Sequence, residues 1–131
     1  WRKDEPGITG VRRRVFIEEQ GVPEAMEWEA WDADCIWFLA EAGDDVIGIV
    51  RLTPDGRLGR MAVLPPWRRL GVGAALLNVA LEAARSAGWP DVALHAQLDA
   101  MPFYRRAGFV EHGGTFMEAG IPHQTMRLRL R

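Results

Sequence analysis

The chain has 131 residues, the length of one domain, and 48% of them are apolar, so folding can bury about two-thirds of the surface of the extended chain. Sixteen Lys and Arg against 18 Asp and Glu leave a net charge of −2, which excludes a strongly basic polyanion binder and a disordered tail and leaves no expectation of nucleic acid as partner. Cys35 is the single cysteine, which excludes an intrachain disulfide framework and fits a reducing, cytoplasmic setting; no stretch approaches the roughly 20 apolar residues that span a bilayer, and Trp1 to Pro6 lack the apolar core of a signal peptide.

Ile8, Val11, Val15 and Phe16 recur at helical spacing between Gly7 and Gly21, with Pro23 beyond, so residues 8–20 are expected to form an amphipathic helix with Arg12, Arg13 and Arg14 on its outer face. The stretch from Glu18 to Asp34 carries seven acidic residues, no basic one, and Trp28 and Trp31. It reads either as a solvated loop or as an acidic, aromatic mouth that attracts a cationic amine. Three short β-type runs follow, Ile36 to Glu41, Val46 to Leu52 and Leu58 to Leu64, broken by Gly43-Asp44-Asp45 and Pro54-Asp55-Gly56. Loops this short imply an antiparallel meander. After Gly71, Val72, Leu76, Val79, Ala80, Ala83 and Ala87 mark a second helix, stopped at Gly88 and Pro90. Val92 to Ala96 reads as a buried strand in which His95 is a core histidine. Asp99 is placed to cap a short helix to about Ala107, and strands from Phe109 to about Met117 and from His123 to Leu130 complete the chain. In the last strand Met126, Leu128 and Leu130 alternate with Arg127, Arg129 and Arg131, giving a packed face and a wet one that could also support a homodimer. The order α-βββ-α-β-α-ββ predicts a single domain of α/β class with a mixed sheet.

The segment from Met61 to Ala74 leads from a strand through a short basic loop into the second helix. The first N–H groups of a helix have no internal partner and sit at the positive end of its dipole, so a glycine-rich first turn suits an anion. Gly71 and Gly73 would let phosphate oxygens approach the main chain, and Arg68 and Arg69 add forked donors. A Walker loop is excluded, because Gly73 is followed by Ala74 and Ala75 rather than Lys-Ser/Thr, and a dinucleotide fingerprint fails at Leu76. By itself the string also fits an ordinary loop.

Arg68, Gly71 and Gly73 fill the pattern Q/R-x-x-G-x-G/A, and Phe103-Tyr104 is followed by Gly108-Phe109. Together with Val15-Phe16-x-x-Glu19-Gln20-Gly21-Val22-Pro23 and Gly120-Ile121-Pro122-His123, these segments resemble the GNAT superfamily of N-acetyltransferases over about 110 residues. The resemblance implies an α/β acetyltransferase fold, with acetyl-CoA as cosubstrate and a small-molecule amine or protein lysine as acceptor. It implies that the backbone of Met61, Ala62 and Val63 pairs with the pantetheine arm. Arg68, Arg69, Leu70, Gly71, Val72, Gly73 and Ala74 hold the pyrophosphate, Gln97 and Phe103 complete the cosubstrate site, and Tyr104 protonates the departing thiolate. Gln97 stands where many relatives have Asn. The family's first strand precedes its first helix, and only about seven residues do so here, so the chain is expected to begin after or inside that strand.

Attack by an amine needs a base, because an ammonium of pKa near 10 is mostly protonated at neutral pH. Glu27, Glu29, Glu118 and His123 are the candidates; each also fits an ordinary role, the glutamates as solvated charges and His123 as a strand-start packing residue. Cys35 is expected to be a buried, inert thiol, and the scattered histidines predict no metal. Two other functions stay open at this point: a non-catalytic CoA-binding or sensor domain of the same fold, and a binding module for a basic peptide.

Overall fold

A computed structural model describes residues 4–20 and 32–130. Helix α1 (Glu5–Arg12) runs on into a π-helical segment, Arg13–Glu19. A 3-10 turn, Asp32–Asp34, leads into the meander β1 (Ile36–Ala42), β2 (Asp45–Leu52) and β3 (Arg57–Val63). Helix α2 (Val72–Ser86), β4 (Asp91–Gln97), α3 (Met101–Arg106), β5 (Val110–Glu118) and β6 (Ile121–Arg129) follow. All six strands join one sheet in the order β1-β2-β3-β4-β6-β5. Only β3 and β4 pair in parallel; the other neighbours are antiparallel.

Each face of the sheet is covered by a helix. Leu76, Leu77, Ala80, Leu81 and Ala84 of α2 pack on Val50, Leu52, Leu58, Val92, Leu94 and Met126, while Ile8, Val11 and Val15 pack on Ile49 and Ala62 from the other side. Ile49 and Val50 belong to different clusters because successive strand residues face opposite ways. Gly7 allows the close approach of α1, since a Cβ there would lie 2.5 Å from Val46 Cγ2.

Several expectations change. Arg12 is not on the outer face: it is 1% exposed and ion-paired to Asp32. The helical period of 3.6 places it beside Val11 and Val15, and the carboxylate makes that burial tolerable. Val79 points to solvent and Leu77 and Leu81 take the packed face of α2. Asp99 does not cap; it sits in a 3-10 turn, Leu98–Ala100, and α3 has no side-chain cap. The final strand, β6, lies between β4 and β5, so its ladder is already paired on both sides and the sheet edges are β1 and β5. The alternation of β6 therefore reports one packed face, not a free edge.

The decisive feature for the site is a divergence within the sheet. Ile49 and Arg51 of β2 face Ala62 and Gly59 of β3, with one residue between them on β2 against two on β3, and the extra residue brings Arg60 to φ 50°. Such a bulge bends its strand. The β3–β4 ladder accordingly ends at Leu58–Leu94 although both strands run on, and the gap opens between their C-terminal halves.

Candidate functional site

The gap forms a cavity of about 420 Å3. Met61 lines it from β3, His95 and Gln97 from β4, Tyr104 from α3, and Glu118 and His123 from the β5–β6 hairpin. Sheet alternation and register explain the grouping. His95 and Gln97 are half-buried on one face of β4 while Val92, Leu94 and Ala96 fill the core on the other. Gln97 faces His123 on β6, and His123 faces Phe116 on β5. The two-residue turn Ala119-Gly120, with φ 52° and 75°, then sets Glu118 opposite Ile121.

The side chains in this patch lie against one another. His95 Nδ1 lies 3.1 Å from Glu118 Oε1, and His123 Nε2 lies 3.5 Å from Glu118 Oε2. The carbonyl of Ile121 accepts from His123 Nδ1 at 2.7 Å. Phe116 stacks on the His123 ring and meets the His95 ring edge-on. Gln97 donates to the Gln20 side chain at 2.9 Å, tying β4 to the end of the π-helical segment. The two imidazoles engage opposite oxygens of Glu118, and among the described residues no group of His, Cys, Asp and Glu is placed to hold a metal ion.

Tyr104 closes the inner end. Its ring makes edge contacts with Phe103 and Phe109, and its hydroxyl donates to Met61 Sδ at 3.7 Å. Burial pushes the phenol up to about 12, because a phenolate would lose its hydration there.

Past β3, a 3-10 turn at Pro65–Trp67 and the left-handed Arg69 (φ 63°) lead to Gly71, which caps α2 with φ 84°. A Cβ on Gly71 would meet nothing within 4 Å, so the space over the first turn of α2 is open. Gly73 lies against Phe103, 3.6 Å from a built Cβ to Cζ. Leu70 and Arg69 are exposed, as is Ala74, and Val72 is partly buried in the first turn. Arg68 does not reach out alone: its Nε donates to the Val63 carbonyl at 2.8 Å, and its two terminal nitrogens grip Glu19 at 2.7 and 2.6 Å. This forked bond holds the Glu19 carboxyl below its usual range and raises the guanidinium of Arg68. Both side chains stay more than a third exposed, so the pair contributes well under about 1 kcal/mol and serves to place Arg68.

The cleft thus joins a strand edge released from its ladder, an open helix N-terminus and a protonated phenol. The comparisons with known proteins bear directly on this. Residues 4–130 match the family model of the acetyltransferase (GNAT) domain. The chain belongs to the GNAT acetyltransferase family. It is 33% identical over 120 residues, 88% of this chain and 86% of the relative, to the uncharacterized N-acetyltransferase YjcF of Bacillus subtilis. A solved structure from Lactobacillus plantarum, assigned as an N-acetyltransferase, is similar with TM-score 0.91 and 29% identity, covering 98% of this chain and 92% of that one. The fold is also that of an aminoglycoside 6'-N-acetyltransferase complexed with coenzyme A, with TM-score 0.76 and 17% identity over 97% and 91% of the two chains. Acyl transfer is the chemistry of the family to which this GNAT domain belongs.

Against that family frame the expected site residues divide. Met61, Gln97, Tyr104, Glu118 and His123 line one cavity, while Phe103, Gly71 and Gly73 gather at the start of α2. Ala62 is buried in the ladder with Ile49, and the Val63 carbonyl is taken by Arg68. Glu27 and Glu29, with Trp28 and Trp31, lie outside the described residues. Of the acidic stretch, Asp32 is buried between Arg12 and Arg51, so its charge is structural and contributes nothing to an acidic mouth. His95 was misread as a core residue. The signal was present, since Val92, Leu94 and Ala96 alternate around it and leave His95 and Gln97 together on the other face.

Proposed function

We propose that this GNAT domain transfers an acetyl group from acetyl-CoA to a primary amine by direct attack within a ternary complex. The observation that carries this reading is the Tyr104 hydroxyl, buried, protonated and already donating to a sulfur atom in the cleft between the diverging strands. Acetyl-CoA supplies the thioester, and the chain's own groups do the rest. Backbone N–H groups on the released edge of β3 near Met61, Ala62 and Val63 polarise the carbonyl. The first turn of α2, from Gly71 to Ala74, with Arg68, Arg69 and Leu70 of the preceding loop, receives the pyrophosphate. Gln97 and Phe103 flank the arm. Tyr104 gives its proton to the leaving thiolate. The acceptor, a small amine or a protein lysine, enters beside Glu118 and His123. Among the described residues no helix is long and apolar enough to cross a membrane, and one buried cysteine supports work in a reducing cytoplasm.

Two variants test the anion site. Gly71→Ala and Gly71→Glu share the backbone strain of a left-handed residue with a Cβ, but only the second puts a carboxylate over the helix N-terminus. In calorimetric titration with acetyl-CoA, Gly71→Glu should bind at least about tenfold more weakly than Gly71→Ala, roughly 1.4 kcal/mol. Equal affinities would remove the α2 turn from the binding site. Wild type that binds acetyl-CoA but releases no thiol with any amine would favour a non-catalytic CoA-binding domain instead.

A further inference from the structure

We propose that His95 is the general base toward the acceptor amine, that Glu118 orients it, and that His123 holds Glu118 in place. The inference rests on the acetyltransferase reading and names the proton acceptor within it. It also replaces the expectation that Glu118 or His123 acts as the base itself.

Hydrogen-bond chemistry assigns the tautomers. A carbonyl oxygen can only accept, so the 2.7 Å contact to Ile121 requires a proton on His123 Nδ1. His123 Nε2 lies 3.5 Å from Glu118 Oε2, and His123 is 7% exposed, with its ring stacked on Phe116. That ring is held by the Ile121 carbonyl and by the stack, and is badly placed to exchange with a substrate.

His95 is placed differently. Its Nδ1 lies 3.1 Å from Glu118 Oε1, and a carboxylate oxygen accepts, so Nδ1 carries the proton and Nε2 keeps its lone pair. The side chain is 29% exposed against 9% for His123, and the cavity it lines also holds Tyr104. A carboxylate bonded to one imidazole nitrogen fixes the tautomer and the ring, and favours the cation formed when the other nitrogen takes a proton. Glu118 is a positioning residue in this arrangement. The other charged groups facing the cavity are Arg51, Arg57 and Arg60 on β2 and β3. Arg51 is itself ion-paired to Asp32, and Glu118 is the carboxylate among the residues that line the cavity, so an ammonium is admitted on its side.

The step balances. An incoming ammonium loses one proton to His95 Nε2, which passes it to solvent. The amine nitrogen forms a bond to the thioester carbonyl carbon and sheds a second proton by the same route. The C–S bond breaks, the thiolate takes the Tyr104 proton, and Tyr104 recovers one from solvent. The net products are the amide, the free thiol and one released proton.

Three histidines in the whole chain make the tautomers directly readable by nitrogen-15 NMR of histidine-labelled protein at alkaline pH. The expected result is protonation at Nδ1 for both His95 and His123, with the His95 pattern altered in Glu118→Gln. A His95 ring protonated at Nε2 would overturn the proposal without any activity measurement. The kinetic arm follows thiol release from acetyl-CoA with spermidine or a lysine-containing peptide as acceptor. His95→Gln should lower kcat by about 10² or more and abolish the acid limb of the pH profile. It should leave acetyl-CoA affinity, measured by calorimetry, unchanged. Glu118→Gln should lower kcat about tenfold with acetyl-CoA binding again unchanged. Imidazole added to His95→Ala should restore part of the lost rate. Wild-type kinetics in His95→Gln, with the acid limb retained, would overturn the role of His95 while leaving the acetyltransferase reading intact. Failure of the wild type to bind acetyl-CoA would instead overturn that reading and the base with it.

Discussion

Replacing Tyr104 with Phe should lower turnover by about 10² while leaving acetyl-CoA affinity nearly unchanged. The ring is held by edge contacts with Phe103 and Phe109, at centroid distances of 5.0 and 5.9 Å, and Phe preserves both. The hydroxyl itself makes only a weak bond to Met61 Sδ, so its removal should change stability by less than about 1 kcal/mol. What the variant lacks is the proton for the departing thiolate. The pH dependence follows from the same burial. An acid acts while it holds its proton, and the Tyr104 phenol, pushed up to about 12, holds it throughout the neutral and mildly alkaline range. Wild-type kcat should therefore show no alkaline fall from this group below about pH 11. Normal turnover in Tyr104→Phe would remove the phenol from the mechanism.

The largest expected loss of stability comes from Asp32, at a distance from the chemistry. Its two carboxylate oxygens bind Arg12 at 2.8 Å and Arg51 at 2.9 Å, and both guanidinium side chains are 1% exposed. The two cations also lie over the Trp37 ring, whose Nε1 donates to the Asp32 carbonyl. One carboxylate thus ties α1, β2 and the turn before β1 together under the second core cluster. Asp32→Ala leaves two buried positive charges facing each other without it. That should cost about 3–5 kcal/mol, a fall in Tm of roughly 10–20 °C for a domain of this size. Denaturant unfolding checks the figure, and a loss under about 1 kcal/mol would show that the buried cluster contributes little. Exchanging all three residues for apolar ones of similar volume should recover much of the loss, because the cost of burying the charges disappears with them.

Much of this molecule was legible in its residues. The meander, the α2 helix with its Gly71 and Gly88 boundaries and the last two strands could be read from period, glycine and proline, since these act within a few residues of chain. The loop that opens α2 was legible for the same reason: Arg68, Gly71 and Gly73 lie within six positions, and a helix N-terminus is a local property. Arg12 and Asp32 were misassigned, because a charged side chain shows no sign of burial until a partner 20 residues away supplies the opposite charge. His95 was misassigned although its alternation with Leu94 and Ala96 was visible, because alternation tells which residues share a face and not what that face looks onto.

The amino-acid sequence by itself therefore determined the element order and the family, both encoded over short stretches where propensity and spacing act directly. Only the tertiary structure decided that β6 sits beside β4 and that a bulge at Arg60 parts β3 from β4. By the same pairing it brought Glu118 between His95 and His123 from three strands. The β3–β4 and β4–β6 pairings join strands separated by a helix of chain or more, so their register is chosen by the packing of the sheet and not by spacing within a short stretch.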